Sequence, residues 1–341
     1  MSVGLWVMAV GALVFIPAAL TREYFYFLVG LFILGSGMAL LQTAVNPYVT
    51  ILGPMESAAQ RISIMGVANK VAGAIAPLVL AYFIVKEGDD EMLNSVSTLS
   101  LEAKTVFLDE IALRVINPYI GMAVVLFLVG LMIRKTHLPK VTNETETVDT
   151  SLDSSDKTTI WQFPHLWLGV ISLFLYVGVE VIAGDTIIQY GQSMGIPLSE
   201  AKMFTSFTMI AMLIGYFIGI ILIPKYLSQH KALQYSAILG IFFSIGAIFT
   251  TGLTSVILVA SLGLANALVW PSIWPLAIDG LGKFINKGSA FLIMAISGGA
   301  ILPLLWGKLS DEYNSQLAYW VMPPAYLLIY LYSVKGYKLR R

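Results

Sequence analysis

Ten apolar stretches, each about as long as a lipid bilayer is thick, leave this chain few folds to choose from. They fall at 2–20, 24–50, 60–85, 117–134, 163–190, 202–224, 232–250, 253–278, 288–307 and 317–334. A helix rises 1.5 Å per residue, so about 20 residues cross a hydrocarbon core of ~30 Å. No water satisfies the backbone there, so only helices or closed barrels can span it. The stretches are too long and too uniformly apolar for the alternating strands of a barrel. The predicted class is therefore an all-α membrane protein. Composition agrees, with 57% hydrophobic and 12% charged residues against about 25% charged in soluble domains.

One passage occurs twice, about 228 residues apart. The first copy runs from Leu34-Gly35-Ser36-Gly37 to Asn46-Pro47 and reaches Gly73-Ala74-Ile75-Ala76-Pro77. The second runs from Leu262-Gly263-Leu264-Ala265 to Trp274-Pro275 and reaches Gly299-Ala300-Ile301-Leu302-Pro303. A repeat of that size is a bundle of helices, the pattern of transporters whose two halves rock about a central site. Residues 136–161 are a polar connector, rich in Thr, Ser, Asp and Glu, and read as a flexible linker. The expected domains are thus a bundle at 1–135, the linker, and a second bundle at 162–341. Within 86–116, apolar positions such as Met92, Leu93, Val96, Leu99, Val106 and Phe107 predict short amphipathic helices on the outer face. Three spans precede the second copy but one precedes the first. Symmetry then predicts two absent helices at the amino terminus, from either a misassigned start or a truncated copy.

Orientation follows from lysine and arginine placement. With the amino terminus inside, thirteen of the twenty basic residues fall in inner loops and the tail, six fall outside, and Lys70 lies within a span. Both termini are therefore expected on the cytoplasmic side. The chain has no cysteine, which removes disulfides, thiolate metal sites and thiol catalysis. Net charge is zero and no basic run suggests nucleic acid. His137, His165 and His230 lie in loops or at span ends without a zinc-binding arrangement. No nucleophile elbow or phosphate-cradling loop is present, so an enzyme is not expected and no cofactor or metal is predicted.

Polar groups inside a bilayer are costly and tend to mark a substrate or ion path. Gln42 sits on the second span, Asn69 and Lys70 on the third, Glu180 and Asp185 on the fifth, and Asn266, Trp270 and Trp274 on the eighth. Side-chain amides both donate and accept, which suits a polyhydroxylated ligand, and flat indoles suit the apolar face of a sugar ring. The competing reading is that Asn and Gln only glue helices together and that the tryptophans are interfacial. Lys70 needs a partner, either Glu180 or Asp185, or else it snorkels to the interface. Glu180 is the best-placed titratable group for proton coupling, and a structural ion pair would also explain it. Gly35, Gly37, Gly215, Gly219, Gly298 and Gly299 permit close helix crossings. Pro47, Pro77, Pro271, Pro275 and Pro303 permit bends where a cavity is lined by protein.

The stretch Leu41-Gln42-Thr43-Ala44-Val45-Asn46-Pro47-Tyr48-Val49-Thr50-Ile51-Leu52-Gly53-Pro54 resembles the fourth-helix signature of the fucose and glucose/galactose branch of the major facilitator superfamily. The likeness continues through Glu56–Gly66 to Asn69-Lys70, and Pro271-Ser272-Ile273-Trp274-Pro275 looks like its tenth helix. The resemblance implies the superfamily's fold, here with ten of the usual twelve helices in two pseudo-symmetric bundles. It also implies proton- or sodium-coupled transport of a monosaccharide across a bacterial inner membrane, by a monomer. Asn69 then falls on the family's sugar-binding asparagine. Gln42 replaces a glutamate of fucose carriers and looks more like the glucose/galactose members, and Glu180 replaces a neutral glutamine. The family's first helix carries an aspartate tied to proton coupling, and this chain has no counterpart to that helix. The alternative expectation is a truncated, inactive or non-transporting sugar-binding membrane protein.

Overall fold

The computed structural model describes residues 1–84, 86, 100–136 and 158–340. Among them there are helices and turns and no strands. Ten helical segments are long and apolar enough to cross a membrane, in the places the apolar stretches predict.

The first four spans begin with α1 (Ser2–Thr21), which ends on Arg22 in the left-handed region at φ 53°. Next come α2 (Tyr24–Ile51) and, after a tight turn at Leu52–Ser57, α3 (Ala58–Ile84). Pro47 lies inside α2 without interrupting it. The expected amphipathic segment is present in part as α4 (Leu101–Arg114), started by Ser100, whose hydroxyl accepts from the Ala103 amide. Met92, Leu93, Val96 and Leu99 lie outside the described residues, as does most of the linker. The fourth span is α5 (Ile116–Lys135).

The second set is less regular. The fifth span, read as one stretch to residue 190, ends as α6 (Pro164–Asp185) and resumes after Thr186 as the short α7 (Ile187–Ser193). The Thr186 amide and hydroxyl both donate to the Ile182 carbonyl, the hydroxyl at 2.7 Å. Then follow α8 (Phe204–Leu222) and α9 (Gln229–Phe249). The eighth span is broken at Leu268 into α10 (Gly252–Ala267) and α11 (Val269–Ile278). Pro271 supplies the reason, since it has no N–H to return to Ala267. The ninth span is α12 (Ile285–Met294), a 3-10 turn at Ala295–Ser297, and α13 (Gly298–Glu312). The last is α14 (Met322–Val334), with proline in its first turn.

Some helices bury mostly small residues and expose their largest ones. On α9 six of the nine buried residues are Ala232, Ser236, Ala237, Gly240, Ser244 and Ala247, beside Gln229, Leu233 and Ile248, while Phe242 and Phe249 are 65% and 73% exposed. Lipid is as apolar as leucine, so close backbone approach and not solvent exclusion decides which face turns inward.

Two compact units result. The first comprises Met1–Val45 with Val71–Lys140. Its α1 and α5 meet through Ala9, Ala12 and Ala123, a Phe15–Tyr119 stack at 4.3 Å and the Trp6 indole donating to the Phe127 carbonyl at 3.3 Å. Arg22 and Asp109 pair at 2.8 Å. The second unit comprises Asn46–Lys70 with Val141–Arg341. Two continuous helices are therefore shared: α2 gives only its last residues, from Asn46 on, to the second unit, and α3 divides near its middle after Lys70.

Candidate functional site

The polar centre of the second unit is an ion pair. Lys70 Nζ lies 3.0 Å from Glu180 Oε1, and the two side chains are only 18% and 23% exposed. Lys70 stands on α3, about 14 Å along the axis from Arg61, and Glu180 faces it from α6. A charge with so little exposure needs its counter-charge, because each alone would carry a desolvation cost. Three buried phenols lie near enough to the carboxylate to feel its charge. Tyr176, one turn earlier on α6, Tyr216 on α8 and Tyr326 on α14 all interact with the Glu180 charge. All three are buried to 5% exposure or less.

Two of these phenols also meet the eighth span. Tyr326 donates its hydroxyl to Asn266 Oδ1 at 2.8 Å, and its ring rests on Gly240 of α9, where a Cβ would collide with it. Asn266 is 1% exposed, and its Nδ2 has no partner among the described residues. Tyr216 packs with Met212, Ala267 and Val67 and covers Gly66 of α3. Lys70, Glu180, the three tyrosines and Asn266 thus lie close together on α3, α6, α8, α10 and α14.

The other sequence-derived residues are placed differently. Asn69 is exposed beside Lys70. Trp270 and Trp274 stack with centroids 5.5 Å apart, but Trp274 is fully buried and Trp270 half-buried. Trp274 therefore backs the indole face that Trp270 offers. Asp185, at the last turn of α6, is exposed, and the ion pair of Lys70 is made with Glu180. Gln42, half-buried on α2, belongs to the first unit. Tyr176, Tyr216 and Tyr326 were absent from the expected set. Their one signal was the four-residue spacing of Tyr176 and Glu180, which puts both on one helix face.

A shielded ion pair with buried phenols near it, carried on spanning helices, fits a membrane carrier. Comparison with known proteins agrees. The sequence profile of the Major Facilitator Superfamily matches residues 1–302. The chain belongs to this superfamily. It is 33% identical over 339 residues to a glucose/galactose transporter of Brucella abortus, across 98% of this chain and 77% of that protein. The L-fucose-proton symporter of Escherichia coli is 29% identical over 311 residues, covering 90% and 71%. The crystal structure of FucP, a superfamily transporter in the outward conformation, aligns over all of this chain and 82% of its own at 27% identity, with a TM-score of 0.85. These likenesses place the chain in the glucose/galactose and fucose branch of the superfamily, as a multi-pass membrane transporter and not an enzyme.

Proposed function

We propose that this chain carries a monosaccharide, a hexose closer to glucose or galactose than to fucose, across the bacterial inner membrane by alternating access. The observation that carries the reading is the 33% identity to a glucose/galactose transporter over almost the whole chain. Gln42 supports the preference for glucose or galactose, since an amide replaces the carboxylate of the fucose branch and offers both a donor and an acceptor to vicinal hydroxyls. Asn69, exposed and next to the ion pair, is assigned to sugar binding. Trp270 supplies a ring face, with Trp274 holding it from behind. Asn266, whose Oδ1 is taken by Tyr326, keeps its amide N–H for a ligand oxygen.

Coupling is assigned to Glu180 and Lys70, with a proton or sodium ion as the driving cation. Neutralising Glu180 removes the partner of Lys70 and so alters the segment on which Asn69 sits. Asp185 is the second candidate for the cation. Both termini are placed in the cytoplasm on the strength of the basic loops, and the transporter is taken to work as a monomer. Counterflow of labelled sugars in proteoliposomes tests the substrate. Glucose or galactose should exchange faster than fucose, and Asn69→Ala should weaken exchange by tenfold or more, about 1.4 kcal/mol. Faster exchange of fucose, or an unaffected Asn69→Ala variant, would contradict the assignment.

A further inference from the structure

We propose that Gln60 and Gln229 form an uncharged latch that holds the Asn46–Lys70 segment inside the second unit in one state of the transport cycle and releases it in the other. The two amides are reciprocal. Gln60 Nε2, on the first turn of α3, donates to the Ile220 carbonyl near the end of α8 at 2.6 Å. Gln229 Nε2, at the start of α9, donates to the Met55 carbonyl in the turn before α3 at 2.5 Å. Each side gives one side-chain N–H to the backbone of the other. Between them Ala59 is fully buried against Ile223, Ala232 and Leu268, and further along α3 the bare backbone of Gly66 lies under the Tyr216 ring.

One jaw of this latch is rigid by itself. Arg61 Nε donates to the Val49 carbonyl at 2.9 Å, Nη2 to Thr50 at 2.5 Å and Gly53 at 3.3 Å, and Nη1 to Pro54 at 3.1 Å and the Ser57 hydroxyl at 2.6 Å. All five acceptors lie in residues 49–57. The ends of α2 and α3 are therefore clamped to each other without help from the rest of the second unit, and can part from it as one body. Around the two neutral amides, the surfaces that would separate carry Ala59, Ala232 and Gly66 with the apolar side chains of Ile223, Leu268 and Tyr216. Water can replace both hydrogen bonds, and Gln60 and Gln229 leave no bare charge behind. Lys70–Glu180 differs, lying about 15 Å deeper along α3 and exposing two charges when it opens. For the segment to leave its seat, the two amide bonds have to break.

The absence of cysteine makes a direct test available, and it needs no sugar, so its outcome is separate from the substrate assignment. Ala232→Cys places one reporter thiol against Ala59. A membrane-impermeant maleimide is applied to vesicles of both orientations. Gln60→Leu with Gln229→Leu should raise the labelling rate about tenfold, and only from the face that bears the Leu52–Ser57 turn. Each single change should give a smaller rise. An unchanged rate overturns the proposal. So does an equal rise from Gln316→Leu, whose amide binds the Ala247, Ile248 and Thr250 carbonyls at the opposite end of α9. Should the double variant fail to fold, a short thiol-specific cross-linker applied to the Ala59→Cys, Ala232→Cys chain decides instead. Cross-linking should stop transport and reduction should restore it, whereas full activity of the cross-linked protein refutes the latch.

Discussion

Lys70 and Glu180 set the terms at the scale of single residues. Removing one charge leaves the other in a site under a quarter exposed. Glu180→Gln should therefore cost about 1–3 kcal/mol of stability, less than a fully buried pair because water reaches both groups. Lys70→Met together with Glu180→Gln should recover most of it, which thermal unfolding in detergent would measure. A double variant no more stable than the single one would show that the pair does not act as a pair. Arg61 is a second case. Arg61→Ala strands acceptors at the end of α2 and should cost about 2–4 kcal/mol, with Arg61→Lys recovering only part because an ammonium cannot fork across separate carbonyls.

The pairing of Lys70 was half legible in the sequence. A mid-membrane lysine demanded a carboxylate, and two were available on the same helix. Asp185 lies five residues beyond Glu180, so it sits ~7.5 Å further along and rotated by ~140°, a displacement that only a docked α3 resolves. The phenols were illegible for another reason. Tyrosine is counted with the hydrophobic residues of the composition, and its hydroxyl declares itself only when a partner such as Asn266 is in place.

At the scale of the element, glycine decides where helices touch. A Cβ on Gly298 would fall on the Phe174 carbonyl of α6, and one on Gly263 would fall on the Thr208 carbonyl of α8. Neither backbone can yield as a side chain would. Gly298→Ala should lower stability by about 1–3 kcal/mol or prevent folding, read from the melting temperature and the yield of monodisperse protein. Gly35→Ala is the contrast, since nothing lies within 4 Å of its missing Cβ. It should be neutral or slightly stabilising, because alanine favours the helix by up to ~1 kcal/mol.

Gly35 and Gly37 looked alike in sequence as crossing points. Only Gly37 faces a neighbour, with Gly4 and Met8 of α1 against it. Two residues are ~200° apart on a helix, so both could not serve one contact. Span positions were readable because lipid demands length and apolarity. The breaks at Thr186, Leu268 and Ala295–Ser297 were not, because prolines at 47 and 303 sit inside continuous helices while that at 271 follows a break. Proline licenses an interruption, and packing decides whether it is taken.

On the scale of the whole molecule, the duplicated passage no longer reads as two equal halves. Its first copy continues unbroken through α2, whereas its second divides into α10 and α11. The unbroken copy is also the one shared between both units, together with α3. Lys70 is the last residue of that shared segment in the second unit, so the ion pair stands where α3 passes from one unit to the other. A charge change at Glu180 would act on the place where the two units are joined by chain.

The most direct measurement is sugar accumulation in proteoliposomes under an imposed cation gradient, with the native chain and Glu180→Gln side by side. The native chain should concentrate labelled glucose or galactose above its external level with a proton or a sodium gradient. Glu180→Gln should still exchange labelled for unlabelled sugar but should stop at equal concentrations inside and out. Uphill accumulation by Glu180→Gln as steep as that of the native chain, or exchange of neither sugar by the native chain, would contradict the account.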